Sequence, residues 1–172
     1  YPDDVYDRQW EPSFIGAFFG PEDQREINTN LTVNSSNPFE LPQAVARSAA
    51  TPINASDPLR IYEYIYEYAE SPSDKLIIYL HFAELQDLQT NDTREFDIVL
   101  NKNIIFSAYS PKKLQIETKF NISPTKCDGV DGDSDCGMEL VRTGKSTLPP
   151  LLNAYEVYKV IEFPYSETYP AD

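Results

Sequence analysis

The stretch LIIYLHFAEL, residues 76–85, decides the fold of this chain. In an extended segment every second side chain points to the same face, so one face here is lined by Leu76, Ile78, Leu80 and Phe82. The opposite face, which includes His81, is also fairly apolar. Because a strand with two apolar faces is covered on both sides, we expect a central strand of a packed sheet here.

Further strand patterns surround this segment. The stretch EFDIVLNKNIIFSAY (95–109) predicts a β-hairpin that turns at residues 101–103. AYEVYKVIEF (154–163) predicts another strand, and Pro149 and Pro150 before it could not lie inside a central ladder. Many short strands joined by turn residues predict an all-β fold, a β-sandwich or jelly roll.

Two segments nearer the N-terminus are also patterned. REINTNLTVNSS (25–36) alternates apolar and polar residues, which predicts a strand with Asn30 and Asn34 on its polar face. PFELPQAVARSAATP (38–52) has Ala and Val at helical spacing between bounding prolines, and it predicts one short helix.

Bulk properties narrow the function classes. The 172 residues suit one domain with a sizeable core, and their formal net charge is -14. Because such a field repels phosphate backbones and anionic lipids, we expect no nucleic-acid partner and no direct membrane contact. No apolar run approaches the roughly 18 residues that span a bilayer, and the first residues lack a signal-peptide pattern.

The sequence contains five N-x-[ST] sequons, where chance predicts roughly one or two. Their acceptor residues are Asn30, Asn34, Asn54, Asn91 and Asn121. Together with two cysteines that could pair, these sequons favour a secreted glycoprotein. A binding surface should avoid the five positions.

The stretch KCDGVDGDSDCGMEL (126–140) raises the question of a calcium site. Counted from Asp131, however, an EF-hand loop would require glycine where Cys136 stands and glutamate where Arg142 stands. A disulfide between Cys127 and Cys136 is the simpler use of this segment in an oxidising compartment. We therefore predict a stapled acidic surface loop, and a less regular calcium site remains the alternative.

The stretch RIYEYIYEYAE (60–70) places four tyrosines on one face if it is extended: Tyr62, Tyr64, Tyr66 and Tyr68. Such a row could stack sugar rings, as aromatic side chains do in carbohydrate-binding modules. The alternative, which we favour, is that these tyrosines pack on the core.

Catalysis has little support in this sequence. His81 is the single histidine, and its position between Leu80 and Phe82 predicts a packed residue rather than a general base. One histidine and two pairing cysteines could not form a usual zinc site, and no glycine-rich phosphate loop is present. We expect no catalytic residue, no metal and no cofactor.

Four stretches together resemble the malectin-like ectodomain of plant receptor-like kinases that carry leucine-rich repeats. They are YPDDVYDRQWEP (1–12), AATPINAS (49–56), HFAELQDLQTNDTREFDIVLN (81–101) and STLPPLLNAYEVYKV (146–160). The resemblance implies a malectin-type β-sandwich with one or two short helices. It also implies that the chain is the second, C-terminal lobe of a tandem pair, with residues 1–12 forming the inter-lobe linker and lobe start and residues 13–172 the single lobe.

The resemblance also implies a role and a location. It places the chain on the extracellular side of the plasma membrane, in a single-pass protein whose kinase domain lies elsewhere. The expected function is non-catalytic ligand perception or receptor assembly through protein or peptide contacts. Expected partners are the first malectin lobe, co-receptor ectodomains and secreted peptides. The alternative is a carbohydrate-binding module for cell-wall or microbial glycans, with an oligosaccharide as partner.

Overall fold

A computed structural model describes residues 3–11, 23–61, 74–126, 129–130, 133–134 and 137–162. Its one described helix is α1 (Gln43–Ala46). The described strands are β1 (Gln24–Asn28), β2 (Ser48–Pro52), β3 (Leu59–Ile61), β4 (Lys75–Phe82), β5 (Phe96–Leu100), β6 (Asn103–Tyr109), β7 (Glu117–Phe120), β8 (Thr125–Lys126), β9 (Gly129–Val130), β10 (Asp133–Ser134), β11 (Met138–Arg142) and β12 (Ala154–Val160).

Two larger sheets organise these strands. The first runs β3-β11-β5-β6, and the second runs β12-β4-β7, with β8 also paired to β4. The pairs within these sheets are antiparallel. Strand β4 therefore has neighbours on both edges, which confirms the prediction of a central strand for residues 76–82.

The hydrophobic core lies between the two sheets. Leu76, Ile78, Leu80 and Phe82 on β4 are all at most 2% exposed. The Phe82 ring lies 5.6 Å from the Phe96 ring of the first sheet, measured between centroids. This packing and the scarcity of helix confirm the predicted all-β sandwich.

The predicted hairpin at residues 95–109 is also confirmed. Strands β5 and β6 pair antiparallel and are joined by Asn101 and Lys102, whose φ angles are 49° and 63°. Positive φ at both central residues gives a turn whose twist matches that of the strands. Strand β12 confirms the strand predicted near the C-terminus.

The strand predicted over residues 25–36 is wrong beyond Asn28, where β1 ends. One more bond continues the β1–β2 register, from the Thr29 amide to the Arg47 carbonyl at 3.0 Å, but the residues before Arg47 form α1 instead of a partner strand. The Gln43 side chain then bonds both backbone groups of Val33, donating to its carbonyl at 2.6 Å and accepting from its amide at 3.1 Å. Asn30 and Asn34 therefore lie in an irregular segment rather than on the polar face of a strand.

The helix predicted within residues 38–52 is present but short. Helix α1 has four residues, and Ser48–Pro52 forms β2 instead. Antiparallel pairing with β1 explains the change, because it bonds the backbone of this alanine-containing stretch to a second strand. Within the described ranges, no helix has the length and apolar character needed to cross a membrane.

Candidate functional site

An open surface groove of about 570 Å³ lies between the N-terminal segment and residues 35–43. It is lined by Asp3, Val5, Ser35, Ser36, Asn37, Pro38, Glu40, Leu41, Pro42 and Gln43. This volume falls within the usual range of ligand sites, and the lining mixes carboxylates, hydroxyls and amides with apolar side chains. Ser35 and Ser36 belong to the Asn34 sequon, so the groove adjoins one of the five predicted glycan positions and departs from the expectation that a binding surface avoids them all.

Side-chain amides hold the wall formed by residues 35–43. The Asn37 side-chain oxygen accepts hydrogen bonds from the amides of Phe39 and Glu40 at 2.9 and 3.2 Å. Its nitrogen donates to the Ile116 carbonyl at 3.2 Å. This wall is therefore held both by bonds within it and by a bond to the body of the domain.

The opposite wall is tied to the first by two residues of the N-terminal segment. The Tyr6 hydroxyl donates to the Pro38 carbonyl at 2.7 Å. Arg8 Nη2 donates at 2.7 Å to the carbonyl of Phe39, which stands between the lining residues Pro38 and Glu40. These bonds fix how far apart the two walls lie.

Arg8 is the centre of a largely buried polar network. Its Nε bonds both carboxylate oxygens of Asp4, at 3.1 and 3.0 Å, and its Nη1 bonds Glu156 Oε1 at 2.9 Å. The Trp10 indole donates to Asp4 Oδ2 at 2.7 Å, and its ring lies 4.8 Å from the Arg8 guanidinium carbon. The network therefore fastens the N-terminal segment to β12.

His81 connects the same network to β4 and β7. It is fully buried, with Nε2 2.9 Å from Glu156 Oε1 and Nδ1 2.9 Å from the Thr118 hydroxyl. The Trp10 and Phe39 rings meet the imidazole edge-on, at 6.3 and 5.6 Å between centroids. The prediction that His81 is a packed residue is confirmed.

The network shifts the pKa values of its histidine and of one glutamate on β12. Burial lowers the pKa of His81 below its ordinary value of 6.5, and it outweighs the opposing effect of Glu156. Burial alone would raise the pKa of Glu156, but hydrogen bonds from His81 and Tyr158 and the charge of Arg8 lower it. The folded protein thus favours neutral histidine beside ionised glutamate.

Asp4 and Tyr158 shift in opposite directions. Burial opposes ionisation of Asp4, but hydrogen bonds from Trp10 and the backbone of Arg8 and Tyr6, with the Arg8 charge, lower its pKa overall. Burial and the hydrogen bond to Glu156 raise the pKa of Tyr158 to about 12. The network therefore holds its carboxylates ionised and this phenol neutral.

A second buried polar cluster joins the two longest stretches of the family resemblance. Arg94 Nε lies 2.6 Å from Glu84 Oε2, both side chains are at most 3% exposed, and Arg94 also donates to the Pro149 carbonyl. The Ser146 hydroxyl donates to the Thr93 carbonyl at 2.9 Å. These contacts are structural, because they lie inside the domain and face no described pocket.

Two groove carboxylates set its electrostatic character. Asp3 and Glu40 form no ion pair with another of the described residues, whereas Arg8 is already bound by Asp4 and Glu156. The two groove carboxylates therefore give this surface a negative charge. In the described part of the chain, no cluster of three or more His, Cys, Asp or Glu residues could hold a metal ion.

An aromatic patch lies on the outer face of the second sheet and consists of Tyr79, Phe120 and Tyr158. The Tyr79 ring lies 5.2 Å from Phe120 and 5.5 Å from Tyr158, measured between centroids. Phe120 is 39% and Tyr158 47% exposed. The pairing of Tyr79 with Phe120 across β4 and β7 places these rings on one face.

The structure separates the five sequons into two groups. Asn30, Asn34, Asn54 and Asn91 are exposed. Asn121 is 7% exposed, and its side-chain amide is hydrogen bonded within the sheet. Glycan occupancy at these positions stays a prediction.

Other predicted site residues fall outside the described ranges. They are the tyrosine row (Tyr62, Tyr64, Tyr66 and Tyr68) and the two cysteines (Cys127 and Cys136). The disulfide therefore stays a prediction, and so does sugar stacking by the tyrosine row. Of the segment between the cysteines, the structure describes the backbone pairing of β9 with β10.

Sequence reasoning missed the groove and the residues of the Arg8 network. Asp4, Tyr6, Arg8 and Trp10 stand at alternate positions, and this spacing could have signalled a shared face. Glu156 carried no comparable signal, because it is one of 28 acidic residues.

A family model described as the malectin-like domain matches residues 1–160. The chain belongs to the malectin-like family. The match includes the Arg8 network and both sheets. It therefore confirms the family predicted from the four sequence stretches.

Curated relatives of this malectin-like chain are leucine-rich-repeat receptor-like kinases of Arabidopsis thaliana. One, described as a probable LRR receptor-like serine/threonine-protein kinase, is 49% identical over 172 residues, which is 100% of this chain and 18% of that protein. Another of the same description, PAM74, is 45% identical over 168 residues, covering 98% of this chain and 18% of that protein. The malectin-like chain thus spans about a fifth of the length of these relatives.

Solved structures share the malectin-like fold at low sequence identity. The ANX2 ectodomain from Arabidopsis thaliana matches with a TM-score of 0.58 and 17% identity, covering 88% of this chain and 42% of that chain. The ANX1 ectodomain from the same plant matches with a TM-score of 0.53 and 19% identity, covering 79% of this chain and 38% of that chain. These matches support the sandwich architecture.

Proposed function

We propose that this chain is a non-catalytic extracellular module of a plant receptor-like kinase, and that it acts in ligand perception or receptor assembly through protein or peptide contacts. The family match and the similarity to leucine-rich-repeat receptor-like kinases support the receptor setting. The exposed positions of Asn30, Asn34, Asn54 and Asn91 support an extracellular location. The kinase domain would lie outside these residues.

The observation that carries this proposal is the groove with the carboxylates of Asp3 and Glu40, neither of which pairs with a cation among the described residues. In a chain with net charge -14, these groups would attract a basic segment by long-range steering and then pair with its Lys or Arg side chains. The occupant we propose is a basic secreted peptide or a basic loop of a co-receptor ectodomain. The first malectin lobe is the further partner.

Isothermal titration of the glycosylated chain with arginine-containing peptides tests this proposal. We expect saturable binding that weakens as salt is added, because exposed charges are screened. The double variant Asp3→Asn/Glu40→Gln should weaken binding at least tenfold. Glu26→Gln is the matched control, because it removes an exposed carboxylate on β1 outside the groove. Equal weakening by the control, or no binding across a broad panel of basic peptides, would count against the groove.

A second candidate function is carbohydrate binding at the aromatic patch. Exposed rings on a sheet face can stack against the apolar faces of sugars, and Tyr79, Phe120 and Tyr158 supply three neighbouring rings. A glycan array tests this alternative. Retention of a cell-wall or microbial oligosaccharide that is lost in Phe120→Ala and Tyr158→Ala, but kept in the control Ile104→Ala, would favour it; Ile104 is 60% exposed on the other sheet.

A further inference from the structure

Asn121 has the sequence context of a glycan acceptor but the surroundings of a core residue. It follows β7 directly, in the sequon Asn121-Ile122-Ser123. Its neighbours Phe120 and Ile122 are 39% and 86% exposed, whereas Asn121 itself is 7% exposed. The side chain therefore turns inward at a place where the backbone lies at the surface.

The amide of Asn121 fills a gap in the ladder along β4. Strand β7 pairs with residues 79–82 of β4, and β8 pairs with residues 75–76. Between these two pairings, Asn121 Oδ1 accepts the Ile78 amide at 2.7 Å and Nδ2 donates to the Leu76 carbonyl at 3.0 Å. The side chain thus supplies the acceptor and donor that a neighbouring strand would have supplied.

The same nitrogen also closes the loop that leads to β8. Nδ2 lies 2.9 Å from the Ser123 carbonyl and 3.3 Å from the Thr125 hydroxyl. Its two hydrogens are therefore shared among three acceptors, on a residue with little exposed surface. N-glycosylation replaces one of these hydrogens with a sugar ring.

We propose that Asn121 is a structural bridge that stays unmodified in the folded protein, although its sequon is complete. A glycan on Nδ2 would displace at least one of the three acceptors and would need space where β4, β7 and β8 meet. A buried carbonyl left without its donor is costly, so the modified chain could not adopt this fold. This proposal departs from the sequence-based expectation of a glycan at Asn121.

Because Asn121 adjoins Phe120, a glycan there would lie beside the aromatic patch. With Asn121 unmodified, no glycan from this position lies beside the patch. The inference rests on the proposed secretory route, since only that route offers glycans to the five sequons.

Glycopeptide mapping of the chain secreted from a plant or insect host tests the inference without any substitution. Enzymatic release of glycans in ¹⁸O-labelled water converts each formerly modified Asn to labelled Asp. We expect label at one or more of Asn30, Asn34, Asn54 and Asn91, and none at Asn121. Labelled Asn121 in the folded, secreted protein would overturn the inference and leave the receptor proposal intact.

Two variants separate the sequon from the bridge. Ser123→Ala removes the sequon but keeps the Asn121 amide, so the midpoint of thermal unfolding should stay within about 2 °C of the unsubstituted chain. Asn121→Asp replaces the Nδ2 donor with a carboxylate oxygen that faces backbone carbonyls. The midpoint of thermal unfolding should therefore fall by roughly 5 °C or more. An unchanged midpoint in Asn121→Asp would contradict the bridge. If this variant does not fold, the glycopeptide map of the unsubstituted chain still decides the question.

Discussion

Arg8 Nη1 lies 2.9 Å from Glu156 Oε1 and so joins residues that are 148 positions apart in the chain. The contact closes the N-terminal segment onto β12, and the Arg8 bond to the Phe39 carbonyl extends it to the groove wall. One side chain therefore links the edge of the sheet, the N-terminal segment and the candidate binding groove.

Removing Arg8 should destabilise the domain and loosen the groove. Asp4 is 0% and Glu156 9% exposed at the side chain, so Arg8→Ala would leave two carboxylates without their buried cation. Breaking a buried ion pair in this way typically costs about 3–5 kcal/mol. Urea unfolding measures the loss.

Arg60→Ala is the matched control for Arg8→Ala. Arg60 also pairs with a glutamate, Glu139 at 3.0 Å, but its side chain is 54% exposed. An exposed pair contributes about 1 kcal/mol or less, so we expect a small change. Similar losses in the two variants would show that burial of the Arg8 network carries no special weight.

The free energy of unfolding should fall on mild acidification because of His81. Burial lowers its folded pKa below 6.5, so the unfolded chain binds a proton at a pH where the folded chain does not. The contribution is therefore lost as the pH falls from 6.5 through the folded pKa. Chemical unfolding at pH 7 and pH 5 measures this slope, and His81→Gln should flatten it.

The carboxylates of the network also lower the free energy of unfolding on acidification, but at a lower pH than His81 does. The folded pKa values of Asp4 and Glu156 lie below their ordinary values of 3.8 and 4.5. Their contributions are present above those values and are lost as the pH falls further. In His81→Gln the free energy of unfolding should therefore still fall below about pH 4.5. If this variant lost both the decrease below pH 6.5 and the decrease below pH 4.5, the assignment of the first to His81 would be contradicted.

Local patterns predicted the elements whose burial is encoded in consecutive residues. Strand β4 alternates Leu76, Ile78, Leu80 and Phe82 because every second side chain enters the core. The hairpin at residues 95–109 was predictable because polar residues that accept positive φ, such as Asn101, interrupt the alternation. In both cases the information lies within a short window.

Contacts between distant residues explain what the sequence did not predict. Strand β1 ends at Asn28 because its partner β2 begins at Ser48, directly after α1, and Gln43 of α1 takes up both backbone groups of Val33 further along. The alternation of residues 25–36 continues past that point, but Leu31 is 51% exposed. The groove depends on Arg8 meeting Glu156, and no local pattern specifies that partner.

The Glu84–Arg94 pair should behave as one unit. Its atoms lie 2.6 Å apart, and both side chains are almost fully buried. Arg94→Met alone should cost about 3 kcal/mol or more, because Glu84 would remain buried without its cation. Adding Glu84→Gln should recover part of that loss, with a coupling energy of about 1–3 kcal/mol in a double-mutant cycle. Additive losses would contradict the pairing.

The last prediction concerns Cys127 and Cys136, and the pairing of β9 with β10 supports it. Gly129 pairs with Ser134 and Val130 with Asp133, so the strands are separated by Asp131-Gly132, a dipeptide that favours tight hairpin turns. In the sequence, the cysteines flank this described pairing: Cys127 stands two residues before Gly129 and Cys136 two residues after Ser134. A disulfide between them would close a short loop around the hairpin.

Peptide mapping without reduction should therefore recover Cys127 linked to Cys136 in the secreted chain. Replacing both cysteines by serine should lower the free energy of unfolding by about 2–3 kcal/mol, because the unfolded chain regains the freedom that a short closed loop denies it. Asp128→Asn is a matched control within the same loop, since it keeps both thiols and removes one charge. Alkylation of both thiols in the native secreted protein would overturn the predicted disulfide.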